Sequence, residues 1–276
     1  MHDSEPAETP EPAPAADTAA APTRSAARRR SAAATRLSVT GVLGEILVTA
    51  GVVVMLFLGW YMWLNDITAG AEQQQAAEEV QQELQEQWER GESTAERPVD
   101  PGEPVISAAP AEEGEVFGTL IVPRFGPDWV RSIASGVDVK TVLNSYTVGV
   151  GHYTQTQMPG EMGNFALAGH RRTYGAAFGD IDKLRLGDRI YVETVDGWYE
   201  YVFRGLEYVW PTGVEVLEPV PAAPGVAPTD RVLTMTSCNP RFSTAERIIA
   251  YAVYETWYPR ADGPPEELSG VVQARG

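Results

Sequence analysis

The sequence contains a single cysteine, Cys238, among its 276 residues. One cysteine excludes an intramolecular disulfide, and a cysteine-based zinc site would need a second thiol. Basic residues are also scarce, since 21 Lys and Arg stand against 38 Asp and Glu for a formal net charge of −17. We expect no binding to nucleic acid, because phosphate neutralisation needs a clustered basic face and the second half of the chain has none. The carboxylates form no pattern specific to calcium, so we expect neither a metal nor a cofactor.

The first 36 residues have few of the large apolar residues from which a core is built. They are rich in Ala, Pro, Thr and Glu, and they become basic at Arg24, Arg28, Arg29, Arg30 and Arg36. Such a stretch cannot bury enough apolar surface to offset the entropy of ordering it. Residues 1–36 are therefore predicted to be a disordered tail.

A long segment without charge follows, from Ile46 to Leu64. With Val42 and Leu43 it reaches the roughly 20 residues that span a bilayer, so residues 42–64 are predicted to form a transmembrane helix. The segment lies far from the N-terminus and no small-x-small cleavage site follows it, so we expect it to be retained.

Charge predicts the orientation of this helix. Arginines precede the segment, whereas Asp66 and Glu72 follow it. The positive-inside rule then places the N-terminus in the cytoplasm and the rest of a single-pass protein outside the cell membrane. Trp60, Tyr61 and Trp63 would lie at the outer interface.

Residues 65–115 are predicted to be a stalk and linker outside the membrane. Positions 71–90 are good helix formers with few apolar residues, which favours an exposed helix, although a role in binding a partner remains open. Residues 91–115 contain four prolines among Gly and Glu, which is typical of an extended linker. Together they would hold a domain away from the membrane surface.

Residues 116–260 are predicted to be a mainly β domain. Short apolar runs such as FGTLIVP, NFALAGH, DRIYVET and DRVLTMTS alternate with Gly, Pro, Asp and Asn, as strands and turns do. The Asp196-Gly197 pair predicts a hairpin turn, and only short helices are expected, near 139–145 and 179–184. Six or more strands in a domain of this size predict a closed or nearly closed barrel. A flexible C-terminal tail is expected over 261–276.

Cys238 lies where the apolar run VLTMTS ends and a loop begins. A lone accessible cysteine outside the cytoplasm is a candidate nucleophile when a histidine is available elsewhere. The alternative is that it is a small buried apolar residue. Arg247 begins the run RIIAYAVY, which is apolar on both alternating faces, so its charge needs a partner and we expect it at a sheet end beside a polar site.

Two histidines could serve as the base that such a thiol needs. His170 ends the run FALAG and precedes two arginines, whereas His152 lies in VGVGHYT. One imidazole can accept the proton of a nucleophile and then donate it to a leaving amine. The residues alone leave both candidates open, and either could be a structural histidine.

Two segments resemble the sortase family, and within it the actinobacterial class E branch. They are GHYTQTQMPGEMGNFALAGHR, which ends at Arg171, and TMTSCNPRFSTAER, which ends at Arg247. The family signature before the nucleophile is Thr-Leu-x-Thr-Cys. This chain has Thr234-Met-Thr-Ser-Cys238, with Met in place of Leu and Ser in place of Thr. The similarity covers roughly residues 117–257.

This resemblance implies an eight-stranded sortase barrel and a two-step transpeptidation. Cys238 would attack the Thr carbonyl of a C-terminal sorting signal on a secreted protein, and an amine of the peptidoglycan precursor would then resolve the thioacyl enzyme. His170 would be the acid and base. Arg247 would stabilise the oxyanion or hold the substrate, with Arg171 and Arg241 as alternative cations.

The resemblance also implies a substrate groove. Class E enzymes are associated with a Leu-Ala-x-Thr-Gly signal in place of Leu-Pro-x-Thr-Gly. Tyr153, His152, Thr236 and Ser237 are the expected substrate-binding residues.

Two other functions remain compatible with the residues. One is another exported cysteine acyltransferase or hydrolase, such as an L,D-transpeptidase or a papain-like enzyme, although neither needs an arginine after the cysteine. The other is a membrane-tethered β-barrel without catalytic activity that binds wall polymers.

Overall fold

The structure is a computed structural model that describes residues 38–93 and 103–273. The predicted tail over 1–36, part of the predicted linker and the last three residues lie outside the described residues. The chain divides into two compact units, Met1–Ala50 and Gly51–Gly276. All strands belong to the second unit.

The first element is one continuous helix, α1, over Val39–Glu89. Its N-terminal part contains the predicted membrane segment, and the apolar side chains described there are exposed. This part of α1 is long and apolar enough to cross a membrane.

Eight strands follow and close into a barrel. Their bounds are β1 Val116–Ile121, β2 Val130–Ser135, β3 Val150–His152, β4 Gly163–Gly169, β5 Arg189–Glu193, β6 Gly197–Val209, β7 Arg231–Asn239 and β8 Glu246–Pro259. The order around the barrel is β1-β2-β3-β4-β7-β8-β6-β5. Two neighbouring pairs are parallel, β2 with β3 and β4 with β7. The predicted mainly β class and eight-stranded barrel are confirmed.

Local predictions inside the domain also agree with the structure. β5 and β6 pair as an antiparallel hairpin around Asp196-Gly197. A π-helical turn covers Val139–Leu143 and a 3₁₀ turn covers Ile181–Lys183, where short helices were expected.

Large apolar side chains fill the barrel interior, as alternation along each strand requires. They include Leu120, Ile133, Phe165, Leu167, Tyr201, Leu233, Met235, Ile248 and Ala250. On β7 and β8 the inward positions are therefore the odd and the even residue numbers, respectively. This alternation decides which side chains near the strand ends face outward.

The expectation of an exposed helix over 71–90 is wrong, because one side of α1 packs against the barrel. The buried positions on this side are Ala69, Gln73, Ala77 and Leu84. Their spacing of four, four and seven residues keeps them on one helix face. Two alanines let the helix backbone approach the strands closely, so helix formers with little apolar surface are enough to pack here.

Glutamine side chains supply much of this contact. Gln74 Oε1 accepts from the backbone N–H of Val130 at 3.0 Å and from Nη1 of Arg131 at 2.9 Å. Gln81 Nε2 donates to Glu193 Oε2 at 2.6 Å. The contact between α1 and the barrel thus combines small apolar side chains with polar hydrogen bonds.

The described part of the predicted linker also packs on the barrel. Val105 and Ser107 are buried. Tyr199 donates its hydroxyl to the carbonyl of Val105 at 2.6 Å, and Ser107 donates to Thr194 Oγ1 at 3.0 Å. Residues 103–107 therefore follow the barrel surface.

The C-terminal segment also differs from the expected flexible tail. A second helix, α2, covers Glu266–Gln273. Leu268 is 1% exposed and joins a small apolar cluster with Tyr191 and Trp198. Tyr191 also donates its hydroxyl to Glu267 at 2.7 Å. Apolar contact and this hydrogen bond together order the segment on the barrel.

Candidate active site

Cys238 and Arg247 lie directly opposite each other at one end of the barrel. Cys238 is the second-to-last residue of β7, Arg247 is the second residue of β8, and the two form a register pair in this antiparallel ladder. Opposed residues of an antiparallel pair project to the same face. Met235 and Ile248 point inward, so alternation directs Cys238 and Arg247 outward.

His170 reaches the same face from the other side of β7. Strand β4 runs parallel to β7 with Ala168 beside Thr236. Extending this register by two residues brings His170 alongside Cys238. Residues two apart on a strand share a face, so the side chains of His170 and Cys238 lie on the same face as those of Ala168 and Thr236. The topology thus brings the three predicted catalytic side chains together, although 68 residues separate His170 from Cys238 along the chain.

Asn144 holds the imidazole of His170. Nε2–H of His170 donates to Asn144 Oδ1 at 2.8 Å, and the ring of Tyr174 lies 5.7 Å from the imidazole between ring centres. Burial lowers the pKa of His170 below its ordinary value, and the carboxylate of Asp66 opposes that shift. Sequence reasoning did not identify Asn144, since no local pattern links it to His170.

Both alternative cations, Arg171 and Arg241, are already paired. Arg171 is buried, forms a 3.0 Å ion pair with Asp182 and donates to Oδ1 of Asn239, the residue after the cysteine. Arg241 lies 3.4 Å from Asp180. Each of these two guanidinium groups has a carboxylate counter-charge, although Nε of the buried Arg171 has no hydrogen-bond partner among the described residues.

Arg247 has a different environment. Nη1 donates to the carbonyls of Thr244 at 3.1 Å and Glu246 at 2.9 Å. Among the residues that the structure describes, no carboxylate lies within ion-pair distance of Arg247. The expected ionic partner is therefore replaced by two carbonyls, and the donors on Nε and Nη2 have no partner in the described part of the chain.

Tyr153 and Thr236 lie together on the Cys238 side of the sheet. The Tyr153 hydroxyl and Thr236 Oγ1 share a 3.1 Å hydrogen bond, and Thr236 Oγ1 donates to the carbonyl of Leu167 at 3.1 Å. Thr236 is two residues before Cys238 and so faces the same way. These two predicted groove residues therefore lie on the sheet face that carries the thiol.

Ser237 and His152 face the interior and are closed to solvent. Ser237 is 4% exposed and donates to the carbonyl of Gly169 at 2.8 Å, which ties β7 to the end of β4 just before His170. His152 is 2% exposed and packs between the rings of Phe117 and Phe165. The structure therefore does not bring either residue to a surface that a peptide could reach.

Burial also controls the chemistry of His152. Its Nε2–H donates to the carbonyl of Gln157 at 3.0 Å. The apolar surroundings lower the pKa of His152 to about 4. A neutral, enclosed imidazole fits a structural role for His152, so His170 stays the predicted acid and base.

Candidate metal ligands do not cluster at this site. Within residues 38–93 and 103–273, no group of three or more His, Cys, Asp or Glu side chains is arranged to hold a metal ion. The chemistry available at the site is that of a thiol, an imidazole and a guanidinium.

Comparison with known proteins gives a consistent set of relatives. A family model described as the sortase domain matches residues 120–255. Sortase SrtE1 of Streptomyces coelicolor is 36% identical over 232 residues, which are 82% of this chain and 60% of that protein. Sortase SrtE2 of the same organism is 31% identical over 236 residues, which are 82% of this chain and 87% of that protein.

Solved structures agree with this result. The SrtA sortase from Actinomyces oris is 38% identical with a TM-score of 0.55, and the match covers 64% of this chain and 97% of that one. Sortase E1 from Streptomyces coelicolor, solved with a tripeptide in its active site, is 38% identical with a TM-score of 0.52. That match covers 56% of this chain and 97% of the solved chain.

Proposed function

This chain belongs to the sortase family, and from that premise we propose that it is a membrane-anchored cysteine transpeptidase. The observation that carries the proposal is the strand register. It brings the chain's only cysteine, a half-buried histidine and an arginine without a carboxylate partner among the described residues to one rim of the barrel. A thiol nucleophile, an acid–base group and a cation are the parts that acyl transfer needs.

The first half-reaction forms a thioester. The Cys238 thiol gives its proton to His170 as its sulfur attacks the Thr carbonyl of a sorting signal, and the tetrahedral intermediate collapses as the Thr–Gly C–N bond breaks. His170 protonates the leaving Gly amine, which departs as the free amine. The Thr carbonyl is then bound to Cys238.

The second half-reaction transfers the acyl group. An amine of a cell-wall precursor attacks the thioester carbonyl and gives its proton to His170. The C–S bond breaks, the sulfur of Cys238 leaves, and a new amide joins the Thr carbonyl to the acceptor. One imidazole serves both halves because the same position must first donate a proton and then accept one.

Arg247 acts on the charge that develops at the carbonyl oxygen. Its Nε and Nη2 groups have no partner among the described residues, and together they form the planar, two-pronged edge that suits an oxygen anion. Arg171 and Arg241 are held by carboxylates. This difference in pairing is the reason to assign the cation role to Arg247.

The substrate is proposed to be the C-terminal sorting signal of a secreted protein, of the Leu-Ala-x-Thr-Gly or Leu-Pro-x-Thr-Gly type. Tyr153 and Thr236 form one wall of the peptide site, because they share a hydrogen bond on the outward face that carries Cys238. The acceptor is an amine of the peptidoglycan precursor. The solved Streptomyces coelicolor sortase E1 has a tripeptide in its active site, which supports a peptide in the same place here.

The enzyme is proposed to be a single-pass protein with its N-terminus in the cytoplasm and its barrel outside. Its site lies close to the membrane surface rather than at the end of a stalk. Tyr146 donates its hydroxyl to Asn65 at 3.2 Å, and Arg172 lies 3.5 Å from Asp66. Both contacts join loops beside His170 to residues just after the apolar segment.

Acyl capture on the thiol tests the function. The full-length chain in detergent micelles is incubated with Leu-Ala-x-Thr-Gly and Leu-Pro-x-Thr-Gly peptides and examined by intact-mass spectrometry. We expect an adduct with the mass of the N-terminal peptide fragment, and because Cys238 is the only cysteine its site is unambiguous. Cys238→Ala should give no adduct and His170→Ala should form it far more slowly.

The opposite outcomes identify the other functions. A folded protein whose Cys238 is alkylated readily, but which forms no adduct and cleaves neither peptide, would contradict the proposal. An alkylation rate that does not change in His170→Ala would favour a binding barrel, since such a protein has no need for a thiol coupled to an imidazole.

A further inference from the structure

We propose that Gln73 is a positioning residue for His170, so that the helix following the membrane segment is part of the catalytic unit. The inference rests on the proposed acid–base role of His170. It starts from two sets of contacts that link Gln73 to His170, one through the loop at Asn144 and Ser145 and the other through the loop at Tyr174. Together these contacts form a closed circuit.

One half of the circuit passes through Asn144. Gln73 Nε2 donates to the carbonyl of Ser145 at 2.7 Å. Ser145 is the neighbour of Asn144, whose Oδ1 accepts from Nε2–H of His170 at 2.8 Å. A displacement of the loop at Ser145 would therefore move the hydrogen-bond acceptor of the imidazole.

The other half passes through the loop after β4. Gln73 Nε2 also donates to the carbonyl of Tyr174 at 2.9 Å. The ring of Tyr174 lies 5.7 Å from the imidazole of His170 between ring centres. One amide group thus holds both loops that bound the imidazole, and its two N–H donors are both used.

The backbone is shaped to receive this side chain. Gly149 and Gly175 have φ values of 83° and 79°, and a Cβ on either would come within 2.5 Å of the Gln73 side chain. Any larger residue would therefore collide with Gln73 and would also be strained at this positive φ. Gln73 itself is fully buried.

The loop that Gln73 binds is strained. Thr173, Tyr174 and Ala176 have φ values of 67°, 45° and 45°. Left-handed backbone at residues with a Cβ is costly and persists only where the surroundings hold it. The bond from Gln73 to the Tyr174 carbonyl is one of the contacts that hold this turn, two residues before Ala176 and four after His170.

This arrangement has a consequence for catalysis. Proton transfer to and from the amine requires the imidazole at hydrogen-bond distance in a fixed orientation. Gln73 touches neither the substrate nor the thiol, so its loss would disturb the placement of His170 without removing a binding contact. The effect should therefore fall on kcat rather than on KM.

The test compares two glutamines of the same helix in the full-length chain in detergent micelles. Gln73→Met keeps the length and volume of the side chain but removes both donors. Gln75→Ala is the control, because Gln75 is exposed and donates only to Glu79 on α1, at 3.2 Å. With a Leu-Ala-x-Thr-Gly peptide, Gln73→Met should lower kcat about tenfold, as the loss of two neutral hydrogen bonds implies, and leave KM within about twofold. Gln75→Ala should match the wild type.

A spectroscopic readout separates positioning from simple destabilisation. The chain has three histidines, so ¹⁵N-histidine labelling gives few imidazole signals, and the signal absent from His170→Ala is that of His170. We expect Gln73→Met to shift or broaden this signal at a temperature where the protein is fully folded. A lower melting temperature alone, with an unchanged His170 signal or an unchanged kcat, would overturn the proposal.

A double-mutant cycle tests the route through Asn144. If Gln73 acts through the Asn144–His170 hydrogen bond, Gln73→Met should reduce kcat less in an Asn144→Ala background than in the wild type. If the reduction in kcat of the double variant equals the product of the reductions in the two single variants, that route is contradicted. If His170→Ala kept wild-type activity, the proposed role of His170 would fail. The His170 signal in Gln73→Met would then still decide whether Gln73 positions the ring.

Discussion

Arg247 differs from the other arginines around Cys238 in its partners. Arg171 and Arg241 are engaged by Asp182 and Asp180, whereas Arg247 donates only through Nη1 to backbone carbonyls. Carbonyls orient the guanidinium but do not neutralise it. A fixed cation without a counter-charge among the described residues is able to stabilise an anion that forms nearby.

Replacement of Arg247 should slow the chemical step. Arg247→Ala is expected to lower kcat by about 10²-fold or more with little change in KM, because a donor to the developing oxyanion acts mainly in the transition state. Arg247→Lys should remain badly impaired, since it keeps the charge but loses the planar pair of donors. Steady-state kinetics with a sorting peptide measure both.

Arg204→Ala is the matched control for this prediction. Arg204 is an exposed arginine on β6 whose carboxylate partner is Glu255, 4.0 Å away, and its loss should leave kcat unchanged. A rise in KM with constant kcat in Arg247→Ala would mean that Arg247 only holds the peptide. Full activity in a folded Arg247→Ala protein would remove it from the mechanism.

His152 shows how burial alone can separate two histidines of one protein. Its imidazole packs between Phe117 and Phe165 inside the barrel, and its pKa is lowered to about 4. The unfolded chain keeps the ordinary value near 6.5. Below that pH the unfolded state binds a proton that the folded state does not, so stability falls as the pH drops from about 6.5 to about 4.

His152→Gln should remove this part of the acid sensitivity. We expect the free energy of unfolding of the wild type to decrease between pH 6.5 and pH 4 by about 3 kcal/mol more than that of the variant. Urea unfolding at intermediate pH values measures the difference. His170 also has a lowered pKa and contributes with the same sign, but it is present in both proteins. Parallel pH profiles for the two proteins would contradict the prediction.

Helix α1 illustrates an element whose type is evident from its residues but whose position is not. The run from Gln73 to Gln87 consists of strong helix formers except for Val80, and the structure is helical there. Its packed face, however, consists of two alanines, a glutamine and a single leucine, which carry little hydrophobic signal. A small side chain such as Ala packs only where the facing surface lets the backbones come close. A buried amide side chain such as Gln packs only where that surface supplies hydrogen-bond donors and acceptors.

The far end of α1 is held by a buried ion pair. Arg260 Nη2 lies 2.9 Å from Glu193 Oε1, and its guanidinium stacks 4.5 Å from the ring centre of Trp198. Gln81 and Gln85 bind the same pair, through 2.6 Å and 3.2 Å hydrogen bonds. Desolvation offsets much of the attraction in such a pair, so its clear role is geometric: it joins β5, the end of β8 and α1 at one point.

At the scale of the whole molecule, the residues just after the apolar segment contact the barrel near the proposed site. Asn65 and Asp66 are the two residues immediately after the apolar run, and they contact the loops beside His170. A longer stalk would allow the site to act far from the bilayer. The contacts of α1 support the proposal that the site lies near the membrane surface.

Protease accessibility tests the orientation of this arrangement. In cells stripped of their wall, a C-terminal epitope tag should be lost to added trypsin, while an N-terminal tag should survive until detergent opens the membrane. The reason is the charge difference across residues 42–64, with arginines before and carboxylates after. Protection of the C-terminal tag in intact cells would reverse the orientation.

The sequence by itself determined the features that depend on local order. Periodicity over a few residues is enough to predict strands, the Asp196-Gly197 hairpin and a long apolar helix, because these follow from neighbouring side chains. Cys238 and His170 could be selected as candidates because each follows an apolar run, and Arg247 because it begins one, while the choice of His170 over His152 came from the resemblance to sortases. The exposed helix over 71–90 and the flexible tail over 261–276 were wrong, since burial of such segments depends on surfaces formed elsewhere in the chain.

Only the tertiary structure decided which of these residues meet. Register between β4, β7 and β8 places His170 and Arg247 on either side of Cys238 and directs His152 into the core. Asn144 contacts His170 and Gln73 contacts Tyr174 through hydrogen bonds that span 26 and 101 residues of chain, and neither has a local pattern. A hydrogen bond between distant segments leaves no periodic trace in the sequence, because it depends on where the fold places two backbones and not on the neighbours of either residue.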